Sequence, residues 1–123
     1  MTVCVYIVIA LLVVTKLCDV ASTLQRIVHP DGETNPIARQ VMIRVGTTKA
    51  VWIVLVLALI IIGLASGAAI KGGNIRQALF IFAGLAISII QGSVAYCNWT
   101  GRDNVITKRA RILHASLLRI IPR

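Results

Sequence analysis

Three long apolar runs divide the chain, and shorter stretches rich in polar residues separate them. The runs extend over 3–14, 50–70 and 78–96. A helix needs about 20 apolar residues to cross the roughly 30 Å hydrocarbon core of a bilayer. The second and third runs approach this length, and the first does so once the helical stripe beyond Val14 is included. The pattern predicts membrane-spanning helices at about 3–28, 48–70 and 76–98.

The stretch between the first two spans predicts a turn and then a short helix. Proline disfavours a helical residue before it and glycine tolerates positive φ, so His29-Pro30-Asp31-Gly32 should end the first helix. Asn35 followed by Pro36 is typical of an N-cap and a first helical position. We therefore expect a helix over 36–45 that ends at Gly46. Its apolar residues on one face are Ile37, Val41 and Val45.

The composition favours a membrane protein over a soluble domain. Hydrophobic residues make up 58% of the 123 residues, charged residues 14%, and the mean hydropathy is +0.89. Soluble domains contain about 45–50% apolar and about 25% charged residues. The first run has no basic residue before it, so we interpret it as a retained helix rather than a signal peptide. The expected fold is an all-α integral membrane protein, with a three-helix domain over 1–101 and a tail over 102–123.

The basic residues are distributed unevenly between the two sides of the predicted membrane domain. One side has Lys71 and Arg76. The other side has Lys16, Arg26, Arg39, Arg44, Lys49, Arg102, Lys108, Arg109, Arg111, Arg119 and Arg123. The positive-inside rule then predicts an N terminus outside the cell and a C terminus in the cytoplasm. Trp52, Tyr96 and Trp99 would lie at the inner interface, where aromatic residues are enriched.

Two of the predicted spans carry small residues at four-residue intervals. These residues are Gly63 and Gly67 in the second span, and Gly84, Ser88 and Gly92 in the third. Small residues allow helix backbones to approach closely in lipid, where no hydrophobic force drives helices together. We therefore expect these faces to pack against other helices of this chain, other membrane subunits or further copies of the chain. Gln91 is placed to add an interhelical hydrogen bond.

The tail predicts a basic amphipathic helix. Its apolar stripe consists of Ile106, Ala110, Leu113, Leu117 and Ile120. Its basic residues are Lys108, Arg109, Arg111 and Arg119. Such a helix suits the anionic lipid headgroups of a membrane surface, or a partner protein. Nucleic acid is not an expected partner, because no aromatic residues are interleaved with the basic ones.

Residues with metal-binding or catalytic chemistry are few. The stretch 31–35 resembles the start of a calcium loop, but Pro36 stands where glycine is required and Met42 where glutamate is required. His29 has no partner at the spacing of a zinc site, and the three cysteines lack the paired spacing of a metal or redox motif. No nucleophile elbow or phosphate-binding loop is present in the sequence. We expect no metal, no cofactor and no enzymatic activity. A membrane-embedded enzyme or metal-site partner that uses the carboxylates is the remaining alternative.

Polar side chains concentrate between the first two apolar runs and form the candidate site. They are Asp19, Thr23, Glu33, Asn35, Arg39 and Lys49. Polar groups at a membrane boundary are costly unless they are paired, so we expect these to converge at the cytoplasmic interface and lock the helices together. In an alternative interpretation, Asp19 or Glu33 titrates in a proton- or ion-coupled transporter. In the simplest interpretation, Lys16, Asp19 and Arg26 form a row of ion pairs on the surface of one helix, a surface ion ladder.

The same residues resemble the motifs of a known family. Asp19 with Ser22-Thr23, Glu33-Thr34-Asn35-Pro36 and the span-starting Lys49 are similar to a D-x-x-S-T, E-x-N-P and lysine pattern. This pattern belongs to an uncharacterised family of small prokaryotic multi-pass membrane proteins. The resemblance covers about 3–64 and implies a prokaryotic cytoplasmic membrane and a site at the polar residues. It implies no reaction, because the family has no assigned activity.

The function that the sequence favours is that of a small non-catalytic integral membrane subunit. It would pack in a larger membrane complex or in a homo-oligomer. The alternative is an oligomeric ion- or proton-coupled transporter that uses Asp19 or Glu33. Such a transporter would have to be an oligomer, because three helices enclose no pathway alone.

Overall fold

The computed structural model describes residues 1–26 and 36–102, together with Arg109 and Ile112. These residues form four helices, α1 (Thr2–Arg26), α2 (Pro36–Val45), α3 (Thr47–Lys71) and α4 (Gly73–Thr100). The expectation of an all-helical chain is confirmed for this part. By length and composition, α1, α3 and α4 can each cross a membrane, as expected of an integral membrane protein.

Several predictions concern residues outside those that the structure describes. They are the turn over 29–32, the site residues Glu33 and Asn35, and the tail residues Lys108, Arg111 and Arg119. Arg109 and Ile112 are helical and exposed, but they are too few to test the amphipathic tail.

Helices α1 and α4 run parallel in a constant register. Val8 lies against Gly84, Thr15 contacts Gln91, and Ser22 contacts Asn98. In each pair the two residues are 76 positions apart in the sequence. On both helices these contacts recur every seven residues, which is the spacing of a coiled-coil seam. The constant register therefore defines one continuous seam along the two helices.

Helix α3 runs antiparallel to both α1 and α4. It is joined to α4 through Gly72, whose backbone N–H donates to the Ala69 carbonyl at 3.2 Å. A Cβ atom on Gly72 would overlap the Arg76 side chain, and Gly73 has φ +75°, a conformation that favours glycine. The two glycines thus allow the chain to reverse direction within a short turn. As a result, the C-terminal ends of α1 and α4 lie at the same end of the bundle as the N-terminal end of α3.

The short helix α2 packs at this same end. Met42 is buried with Val20 of α1 and with Ala50, Val51 and Leu55 of α3. Val41 packs against this cluster, whereas Val45 is 39% exposed. Among the described side chains of α2, the buried face therefore includes Met42 beside Val41, whereas the predicted apolar line ran from Val41 to Val45. The long, flexible methionine side chain can fill the gap between α1 and α3 better than a β-branched valine can.

Candidate functional site

The seam between α1 and α4 changes character along its length. Its first half is apolar, with Val5, Val8 and Leu12 of α1 buried. Its second half is polar, and we call it the polar seam. The residues of the polar seam are Thr15, Lys16, Asp19, Ser22, Thr23 and Arg26 of α1, and Gln91 and Asn98 of α4.

Gly84 allows α1 and α4 to approach each other closely in the apolar half of the seam. A Cβ atom built on Gly84 would overlap Val8 Cγ1 and would lie 3.3 Å from Leu12 Cδ1. Gly92, two helical turns further along α4, leaves 4.0 Å between such an atom and Thr15 Cγ2. The absence of a side chain is therefore a steric requirement at Gly84, whereas a Cβ atom at Gly92 would make only an ordinary van der Waals contact.

The polar seam begins with Thr15 and Gln91. Thr15 Oγ1 lies 3.0 Å from Gln91 Oε1 and 2.8 Å from the Leu11 carbonyl oxygen. The hydroxyl has one proton and so can donate fully to only one of these oxygens. If the Gln91 amide is turned by 180°, its nitrogen donates to Thr15 while Thr15 donates to Leu11, and both contacts are satisfied.

Asn98 connects α4 to three side chains of α1. Its Nδ2 donates to Ser22 Oγ at 3.3 Å and to Thr23 Oγ1 at 3.4 Å. Its Oδ1 accepts from Arg26 Nη1 at 3.3 Å. Ser22 is fully buried and donates in turn to the Asp19 carbonyl oxygen at 2.9 Å. Both ends of the Asn98 amide are therefore used to hold the two helices in register.

Arg26 also caps the end of α4. Its Nη1 donates to the Cys97 carbonyl at 3.3 Å, and the Gly101 backbone N–H donates to the same oxygen at 2.9 Å. Gly101 has φ +67°, the left-handed conformation common at helix C-termini. A cation beside the last carbonyls of a helix is favoured by the helix dipole. Beside it, Trp99 Nε1 donates to Gln25 Oε1 at 3.0 Å and closes the end of the seam.

Lys16 and Asp19 form an ion pair within the polar seam. Their Nζ and Oδ2 atoms are 2.7 Å apart, and their side chains are 12% and 17% exposed. Along α1 the pair lies between the Thr15–Gln91 contact and the Ser22–Asn98 contact. An isolated charge in a membrane span is costly, and pairing it with the opposite charge lowers that cost. Asp19 and its counter-ion Lys16 therefore both lie within the predicted membrane-spanning helix α1.

The predicted site residues are placed in three groups. Asp19 and Thr23 belong to the polar seam. Arg39 on α2 and Lys49 in the first turn of α3 are exposed. Glu33 and Asn35 lie outside the described residues, so the convergence of all six stays a prediction. Lys16, the partner of Asp19, is a member of the predicted surface ion ladder but not of the six predicted site residues.

Sequence reasoning missed Asn98 as a contact residue of the polar seam. In the sequence it stands out only as the first residue of Asn98-Trp99-Thr100, a glycosylation sequon. The signal that could have found it is the seven-residue spacing from Gly84 through Gln91 to Asn98, matched by Val8, Thr15 and Ser22 on α1.

Two buried serines in the α1–α4 seam should respond differently to alanine substitution. Ser22→Ala removes a hydroxyl that bonds to Asn98 and Asp19, so we expect a loss of about 1 kcal/mol in stability. Ser88 is 7% exposed, and its Oγ has no hydrogen-bond partner among the described residues. Ser88→Ala should therefore leave stability unchanged or raise it by up to about 1 kcal/mol. Unfolding in mixed detergent micelles measures both, and equal losses would contradict these contacts.

The described residues contain no group of three histidine, cysteine or acidic side chains that could hold a metal ion. Comparison with known proteins adds no relative to this description. No family model, no curated protein and no solved structure matches the chain.

Proposed function

We propose that this chain is a non-catalytic integral membrane subunit that associates with other transmembrane helices. These helices belong to copies of the chain or to a larger complex. The observation that carries the proposal is an open face of α3 centred on Gly63 and Gly67. No described atom lies within 4 Å of the position that a Cβ atom would take on either glycine, apart from their own helix and chain neighbours.

The contrast with α4 supports this use of the open face. Gly84 belongs to a similar series of small residues, and there the missing side chain admits Val8 and Leu12 of α1. Gly63 and Gly67 offer the same close approach four residues apart, the spacing at which small residues promote helix association in lipid. In the most apolar part of α3 only 17% of the residues are buried inside the chain. Most of this helix is therefore available to lipid or to another helix.

The polar seam has a supporting role in this proposal. Hydrogen bonds from Asn98 and Arg26 hold α1 and α4 together, so the bundle can present α3 as a rigid surface. We further propose that the end with these residues faces the cytoplasm of a prokaryotic cell, with the N terminus outside. The support is the excess of Lys and Arg at this end compared with Lys71 and Arg76 at the other.

Leucine at both glycines of the α3 face is expected to dissociate the assembly. Gly63→Leu with Gly67→Leu fills the close-approach surface, so the protein should migrate at the size of a single chain on native gels in mild detergent. Helical content should stay unchanged, because neither glycine has a neighbour within this chain to displace. Association should weaken about five- to 160-fold, by analogy with the cost of overpacking a tight interface, about 1–3 kcal/mol.

The matched control is Ala65→Leu. Ala65 is exposed and lies two residues from each glycine, which places it about 200° around the helix. This variant adds similar volume on the other side of α3 and should assemble normally. Dissociation by Ala65→Leu to the same extent, or an unchanged size of the double glycine variant, would exclude the α3 face as the interface.

An oligomeric proton- or ion-coupled transporter is the second candidate function. The observation that favours it is the partly buried Lys16–Asp19 pair, because ionisable groups within spans commonly serve ion pathways. Glu33 is the other candidate titrating group. This function requires that Asp19→Asn or Glu33→Gln abolish an ion flux in proteoliposomes while the protein still assembles normally.

A further inference from the structure

The two ends of the bundle differ strongly in exposed positive charge. At the end where α3 begins, Arg26, Arg44, Lys49 and Arg102 are all exposed. At the opposite end, the exposed basic side chains of the described residues are Lys71 and Arg76. Asp19 is the one acidic residue in the described part of the chain, and it is paired with Lys16. The whole chain has 13 basic residues and four acidic residues.

The α2–α3 junction concentrates part of this charge. Arg44 lies in the last turn of α2 and Lys49 in the first turn of α3, with Gly46 between the two helices. Gly46 has φ +89°, so the chain can turn sharply there. Burial of Met42 and Ala50 against α1 and α3 fixes the two helices on either side of the turn. Both cationic side chains are thus held at the same end of the bundle.

Two exposed tryptophans lie at this end of the bundle. Trp52 is one helical turn beyond Lys49 on α3 and is 52% exposed, and Trp99 at the end of α4 is 53% exposed. Tryptophan is enriched at the membrane–water interface, where its ring is half in apolar and half in polar surroundings. Cations just outside this level meet the phosphate groups of phospholipids, and anionic lipids attract them most strongly.

We propose that this end of the bundle binds the headgroups of anionic phospholipids, with Arg44 and Lys49 forming a contact site for lipid phosphate. The site is separate from the predicted tail helix, because both residues belong to the folded bundle. Lipid is the occupant that fits best, since the flanking tryptophans mark the bilayer interface and an acidic protein segment would need no such neighbours. Guanidinium and ammonium groups both donate several hydrogen bonds to phosphate oxygens.

Native mass spectrometry of the full chain can test this site. The chain is transferred into micelles that contain phosphatidylglycerol or phosphatidylcholine, and the retained lipid is counted. We expect Arg44→Gln with Lys49→Gln to weaken phosphatidylglycerol binding about thirtyfold, from the combined contribution of two interfacial cations. Binding of phosphatidylcholine should not change. The effect should shrink in high salt, because exposed charges are screened.

The matched control removes the same charge from the other end. Lys71→Gln with Arg76→Gln should retain phosphatidylglycerol at the level of the unchanged protein. Equal losses from the two double variants would overturn the proposal, because they would indicate attraction to net charge alone. Unchanged binding in Arg44→Gln with Lys49→Gln would overturn it as well. If inorganic phosphate at millimolar concentration displaces the lipid completely, the site recognises free phosphate rather than a lipid headgroup, and the proposal fails.

Discussion

Alanine in place of Gly84 should destabilise the bundle by about 2–3 kcal/mol, the upper part of the range for overpacking a tight contact. The added Cβ atom would overlap Val8 Cγ1 and crowd Leu12. Because the backbone carries the new atom, relief requires α1 and α4 to separate. That separation would also stretch the Thr15–Gln91 contact seven residues further along the seam. Unfolding followed by circular dichroism in mixed micelles measures the loss.

Gly63→Ala is the control for this prediction. The same atom added on α3 meets nothing within 4 Å, and alanine is the better helix former, so stability should be equal or slightly higher. Val8→Ala should restore part of the stability of Gly84→Ala, because it removes the overlapping methyl group. If Gly84→Ala were as stable as Gly63→Ala, the parallel register of α1 and α4 would be wrong.

The second large effect is expected at the Lys16–Asp19 pair. Asp19→Asn leaves the Lys16 ammonium without its counter-ion in a seam where its side chain is 12% exposed. Removing one partner of a buried pair costs about 3–5 kcal/mol, and partial exposure should reduce this to about 2 kcal/mol. The protein should unfold at lower denaturant concentration, because the unfolded chain solvates Lys16 fully.

A double-variant cycle separates the charge effect from a change of shape. Lys16→Gln combined with Asp19→Asn removes both charges and should recover most of the stability that Asp19→Asn loses. Losses that add independently would show that the two side chains are not coupled. A large coupling would identify the pair as a neutral unit of the span.

Much of the helical pattern could be predicted from sequence, because each span is a long apolar run with glycine or polar residues at its limits. The observed α3 and α4 extend one to three residues beyond the predicted 48–70 and 76–98. Helix pairing could not be predicted in the same way. Two spans carry small-residue faces, and only the fit of Val8 and Leu12 at Gly84 distinguishes the face that packs against α1.

The polar seam is only partly predictable, because its contacts depend on how the helices pair. Polarity identified Asp19 and Thr23, and the convergence of these residues with Glu33, Asn35, Arg39 and Lys49 stays a prediction. Among the described contacts, Asp19 pairs with Lys16 one helical turn away. A contact between positions three apart on one helix costs little additional conformational entropy, because folding of the helix has already brought the two side chains together. The register that brings Asn98 to Ser22 depends on packing along the whole seam.

Association through the α3 face is the central claim, and the mass of the protein released directly from native membranes tests it. A single chain has a mass of 13.3 kDa. Native mass spectrometry should detect the unchanged protein in a larger complex, with additional copies or another membrane subunit. Gly63→Leu with Gly67→Leu should be detected at the single-chain mass plus bound lipid. Detection of the unchanged protein as a single lipid-bound chain, under conditions that preserve other membrane complexes, would contradict the claim.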